Sequence, residues 1–109
     1  MSEYQPSKSS LRADTVVSFV SRDLLSFSMD EIPGMGPASI KKFSEEGIYT
    51  PAQIVAKLLS YVHSGDVSGQ EVCCSFYAWA KPIMGSANTH TLTFALANYC
   101  AEHGLFKLD

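Results

Sequence analysis

Ile32-Pro33-Gly34-Met35-Gly36-Pro37-Ala38-Ser39-Ile40-Lys41-Lys42-Phe43 is the stretch on which the fold turns. Two glycines flanking one apolar residue permit a tight turn with positive φ and leave no Cβ in the way of an approaching group. Pro37 suits the first turn of a helix, where its missing N–H costs nothing. The amides of that helix start, with those of the turn, lie at the positive end of a dipole, which is a site for a phosphate. The helix is expected from about Pro37 to Glu46, with Ile40 and Phe43 inward and Gly47 in the stop position. Lys41 and Lys42 follow one turn behind the glycines. Their spacing to Glu45 and Glu46 is the weaker order for helix ion pairs, so a solvated face competes with phosphate contact as their reading.

Before this stretch, residues 1–10 are polar and serine-rich and read as a flexible tail. Ser2, Ser7, Ser9 and Ser10 are candidate phosphorylation sites there, against the simpler reading of an unmodified end; Lys8 and Arg12 are the positive charges nearby. From Leu11, the residues Val16, Val17, Val20, Leu24 and Phe27 fall at helical spacing, which predicts a helix to Ser26 or Phe27, with Asp30 capping a short turn before Ile32. After it, Thr50-Pro51-Ala52-Gln53 is a capping-box start. Ile54, Val55, Leu58, Leu59 and Val62 then form a broad apolar stripe to about His63, wide enough for a second subunit as well as for a central helix. Residues 64–69 read as a loop, followed by a helix from about Gln70 to Ala80 with Val72, Phe76 and Trp79 inward, ended or kinked at Lys81-Pro82. A last helix is expected from Asn88 or Thr89 as N-cap, carrying Leu92, Ala95, Leu96, Tyr99 and Cys100 and stopping at Gly104. No stretch alternates at period two. The fold class is therefore all-α, a compact bundle of about five helices in a single domain over residues 11–109.

A chain of 109 residues, 46% hydrophobic and 11% aromatic, is one domain with a real core. Its net charge of −3 argues against a generally basic nucleic-acid binder but not against a local patch of oriented amides. Cys73, Cys74 and Cys100 form no CxxC pair, and reduced thiols in the cytosol or nucleus are expected. No leader-like or membrane-length apolar run occurs, so membrane insertion is not expected. His63, His90 and His103 are far apart and read as surface or helix-end histidines, without metal-ligand spacing. Cys73 and Cys74 beside Phe76 and Trp79 read as small hydrophobes. Neither a cofactor, a metal nor a catalytic residue is expected, and the chain does not read as an enzyme. The aromatics are spaced as core, not as a stacking platform for single strands.

What remains is the glycine stretch, read as a helix-hairpin-helix element that grips the sugar-phosphate backbone of duplex DNA without reading bases. The chain resembles the barrier-to-autointegration factor family over roughly Val17 to Phe106. The likeness is carried by Phe19-Val20, Ile32 to Phe43, Glu46-Gly47-Ile48 and the amphipathic helix ending near Val62. Most telling is Phe76-Tyr77-Ala78-Trp79-Ala80-Lys81 followed by Gly85, similar to that family's Phe-x-x-Trp-x-Lys segment; Leu105-Phe106 closes it. The resemblance implies a SAM-like helical homodimer with one hairpin per subunit on opposite sides. Such a dimer bridges and compacts double-stranded DNA without sequence preference. It also implies LEM-domain, lamin and histone partners, residence in the nucleus (and cytoplasm), a part in chromatin or nuclear-envelope organisation, and release of DNA by phosphorylation near the N-terminus. By position, Gly34, Met35, Gly36, Pro37 and Ala38 would meet phosphates, with Lys41 or Lys42 nearby and Asn88-Thr89 as a second contact, for which ordinary helix capping is the competing reading. Thr15, Val16 and Val17 stand where the family is polar or basic, His90 and Leu92 where charge is expected, and the loop after Val62 lacks lysines. These departures support a second reading: a divergent, non-enzymatic paralogue acting as a protein-interaction or heterodimerisation subunit with weak or no DNA binding.

Overall fold

Thr89 to Cys100 carries leucine, alanine and tyrosine on every side of a helix, and all of these residues except Phe94 and Asn98 are buried. A helix without a single apolar stripe is one covered all round, and this one, α5 (Ser86–Glu102), is the axis of the molecule. The computed structural model describes residues 4–8, 11–62 and 68–107. Against α5 pack α4 (Gly69–Met84), α1 (Ala13–Val20), α3 (Pro51–Leu59) and a short 3-10 turn, Pro6–Lys8. The remaining helix, α2 (Pro37–Glu45), packs on α4. No strand occurs among the described residues, and none of their helices is long and apolar enough to cross a membrane. The radius of gyration, 12.6 Å, matches the about 13 Å expected of one compact domain of this length.

Local signals set the middle of the chain as expected. At the end of α2 the Gly47 N–H donates to the Ser44 carbonyl (3.1 Å) and the Ile48 N–H to the Phe43 carbonyl (2.9 Å), closing a Schellman motif. At the start of α3 the Gln53 N–H donates to Thr50 Oγ1 (3.2 Å), while the Thr50 N–H donates to Gln53 Oε1 (3.1 Å).

Elsewhere the expected boundaries shift. The first helix ends at Val20, not near Phe27, where Tyr99 of α5 and His103 just beyond it take carbonyls at and after the helix end. His103 Nε2 donates to the Val20 carbonyl (2.8 Å) and the Tyr99 hydroxyl to the Arg22 carbonyl (2.6 Å). The chain continues as two 3-10 turns, Leu24–Ser26 and Met29–Glu31, the second begun by Ser28 rather than by Asp30. Helix α4 runs through Pro82 to Met84. So close to the C-terminus the proline removes one bond, and Ile83 and Met84 remain packed on the core. Only Gly85 then separates α4 from α5, so the last helix begins before Asn88 and Thr89.

Two further expectations are corrected. Tyr4 is only 6% exposed, packed with Cys73, Tyr77 and Ala97, so residues 4–8 are part of the fold rather than a flexible tail. The N-terminal serines other than Ser7, the loop over 63–67 and the last two residues lie outside the described residues. Ile54, Val55 and Leu58 are 0%, 3% and 0% exposed in a single subunit, which removes them from a dimer surface; α4 and α5 already cover them. Of the expected interface, Leu59 is half-buried and Val62 exposed.

Candidate nucleic-acid interface

The approach to the glycines is anchored at both ends. Met29 and Ile32 are buried. Between them the Ser28 N–H donates to the Glu31 carboxylate (3.0 Å), which also pairs with the Arg22 guanidinium (2.8 Å). The Ser28 amide, with Arg22 and the Ser28 hydroxyl, holds the Glu31 carboxyl below its ordinary value. The Met35 N–H then donates to the Ile32 carbonyl (3.0 Å), closing a turn with proline second and glycine third, the type II pattern. Gly34 supplies the positive φ that such a turn demands, +88°.

The two glycines have different surroundings. A Cβ on Gly34 would lie 2.9 Å from the Leu92 nitrogen and 3.0 Å from the Asn88 carbonyl oxygen. Its bare side is pressed on the first turns of α5 and cannot admit a ligand, contrary to the sequence reading. Gly36 has φ −114° and ψ 173°, the ordinary N-cap conformation, and nothing lies within 4 Å of the place of its missing Cβ. No side chain caps α2, whose N1 residue is Pro37, so the first-turn amides of Ala38 and Ser39 lack an intrahelical acceptor.

The other expected contacts divide in the same way. Met35 does not qualify: its side chain is 8% exposed and its N–H is used by Ile32. Thr89 does not qualify either, being fully buried with its hydroxyl donating to the Gly85 carbonyl. Asn88 is exposed and adjoins Gly34, so the turn before α2 sits on the start of α5. Gly85 also caps α5 without a side-chain bond. Pro37, Ala38, Lys41 and Lys42 are exposed, and neither lysine forms an ion pair with Glu45 or Glu46. Lys42, Glu45 and Glu46 share with Trp79, Pro82 and Ile83 an open groove of about 490 Å³.

Sequence reasoning passed over Tyr4 and read His90 as a surface or helix-end histidine, whereas His90 is 6% exposed and stacks on Tyr4 and Tyr77. An aromatic in a polar end and a histidine inside the otherwise apolar last helix were the signals available. Among the described residues no group of three or more His, Cys, Asp or Glu side chains is placed to hold a metal. Comparison of the chain with family models, with curated proteins and with solved structures returns no match.

Proposed function

We propose that the chain binds duplex DNA through its backbone, without sequence preference, and bridges two duplexes as a dimer. The carrying observation is the start of α2: an uncapped helix N-terminus behind a glycine with open space around it. Exposed Lys41 and Lys42 one turn along it add support. The order of sequence segments shared with the barrier-to-autointegration factor family points to the same chemistry. A dimer would use half-buried Leu59 with the exposed apolar side chains Val62, Val17, Leu25, Tyr49 and Leu105, rather than the inner stripe of α3. Nuclear residence and LEM-domain, lamin or histone partners belong to the same proposal.

Gly36→Asp tests it. Aspartate is a preferred N-cap, so the fold should hold or gain slightly, while a carboxylate stands where the phosphate would sit. In fluorescence anisotropy at low salt, the parent chain should bind unrelated duplexes alike and release them as salt rises. The variant should bind at least about tenfold more weakly, the scale of one lost charge-assisted contact. Equal binding by Gly36→Asp, or no binding by the parent, defeats the proposal. The burial of Met35 and Thr89 favours the second reading, an interaction subunit with weak DNA affinity. Light scattering that finds a monomer alone and a stable dimer only with a partner chain would select it.

A further inference from the structure

We propose that residues Tyr4–Lys8 form a pH-sensitive latch, held closed by neutral His90 and released when that imidazole takes a second proton. The proposal is independent of the DNA reading. His90, from α5, is 6% exposed and lies in an aromatic stack. Its ring centroid is 4.6 Å from that of Tyr77 at 29°, and 6.1 Å from that of Tyr4 at 27°. Tyr4 also meets Tyr77 at 6.1 Å.

The hydrogen bonds fix the protonation state that this closed form needs. The main-chain N–H of Gln5 donates to His90 Nδ1 (3.2 Å), so Nδ1 must carry a lone pair. The neutral ring then bears its proton on Nε2, 3.2 Å from the Tyr77 hydroxyl, whose oxygen accepts. A proton added at Nδ1 sets two N–H groups against each other and places a charge among buried rings. From the latch, Tyr4 faces the imidazole, and burial pushes its phenol up, with Cys73 and Cys74 adding to the effect. From α4 comes Tyr77, with Cys73 in the same cluster and the Lys81 ammonium 5.9 Å from the centre of the Tyr77 ring. On α5 itself the adjacent Thr89 and Thr91 do not titrate. Docking of the latch is thus favoured while Nδ1 is unprotonated and lost as falling pH protonates it.

His103, the C-cap of the same helix, gives the contrast. Its Nε2 donates to the Val20 carbonyl, a bond that an imidazolium keeps. The same change in pH therefore leaves α1 tied to α5.

Amide resonances of the full ¹⁵N-labelled chain, followed from pH 7.5 to 5, test this. The signals of residues 4–8 should move to random-coil positions, with the Gln5 amide losing about tenfold or more in protection, the scale of one hydrogen bond. Phe43 and Leu96 should not shift. His90→Gln, whose side-chain oxygen accepts without titrating, should keep the latch closed at pH 5. Tyr4→Ala should leave it open at both pH values with the core intact. A parent chain still closed at pH 5, a His90→Gln chain that opens at the parent's pH, or a pH step that survives Tyr4→Ala would each overturn the proposal.

Discussion

Replacing each hairpin glycine by alanine separates their roles. At Gly34 two costs add. An L-residue at φ +88° carries a left-handed backbone cost of about 1–2 kcal/mol. The new methyl would also press on main-chain atoms of α5 at 2.9 and 3.0 Å. Backbone in a buried helix cannot swing aside as a side-chain tip can, and forced overpacking costs about 1–3 kcal/mol. The sum, about 2–5 kcal/mol, is a large part of the roughly 5–15 kcal/mol that holds a domain of this size. At Gly36 the backbone is extended and the space empty, so alanine forfeits only N-cap preference, less than about 1 kcal/mol. Urea denaturation followed by Trp79 fluorescence reads both variants, since Trp79 is the single tryptophan and packs 5.6 Å from Phe43 and from Phe76. Gly34→Ala should lose about 2–5 kcal/mol and Gly36→Ala almost nothing. If the two variants unfold at the same urea concentration, the assignment of Gly34 to packing and Gly36 to an open face is refuted.

Two further outcomes follow from buried groups. Burial pushes the Cys73 and Cys100 thiols up to about 12, so iodoacetamide at pH 8 should modify half-buried Cys74 first, as read by peptide mass spectrometry. With folded values raised above the unfolded thiol's roughly 8.5, the stabilisation is complete below that pH and declines as pH rises toward 12; a urea midpoint that does not fall between pH 8 and 10.5 contradicts it. Thr93 is fully buried and its hydroxyl has no hydrogen-bond partner among the described residues, so Thr93→Val should gain about 1 kcal/mol in the same denaturation assay, and a loss of that size would show the hydroxyl to be satisfied.

What could be read from the sequence was what neighbours along the chain decide. Thr50, Pro51 and Gln53 start α3 by bonds that span three residues, and Gly47 ends α2 in the same local way. The end of α1 could not be read, because the groups that stop it, Tyr99 and His103, lie far along the chain. The direction in which Gly34 faces was equally hidden. A glycine at positive φ serves a close approach of backbone or of ligand with the same residue type, and only the position of α5 distinguishes them. Tyr4 was lost in a polar run whose composition predicts a tail, although its ring is buried and the neighbouring Gln5 amide bonds to His90.

An acidic chain can still attract phosphate where α2 begins, because distance along that helix sorts its charges. At 1.5 Å per residue, Glu45 and Glu46 lie about 13–15 Å beyond Gly36, whereas Lys41 and Lys42 lie about 8–9 Å away. The Debye length in physiological salt is about 8 Å, so the carboxylates are largely screened from an anion at Gly36 and the lysines only partly so. The amides of Ala38 and Ser39 would act at contact, where salt screens least, and the dipole of α2 adds to them. The net charge of −3 therefore says little about this face. With two lysines per hairpin as the mobile charges, attraction would fall with salt at a slope near −2, far shallower than for a basic protein with many phosphate contacts. On this reading main-chain geometry contributes more of the affinity than side-chain charge, and the open space at Gly36 matters more than the formal charge of the chain.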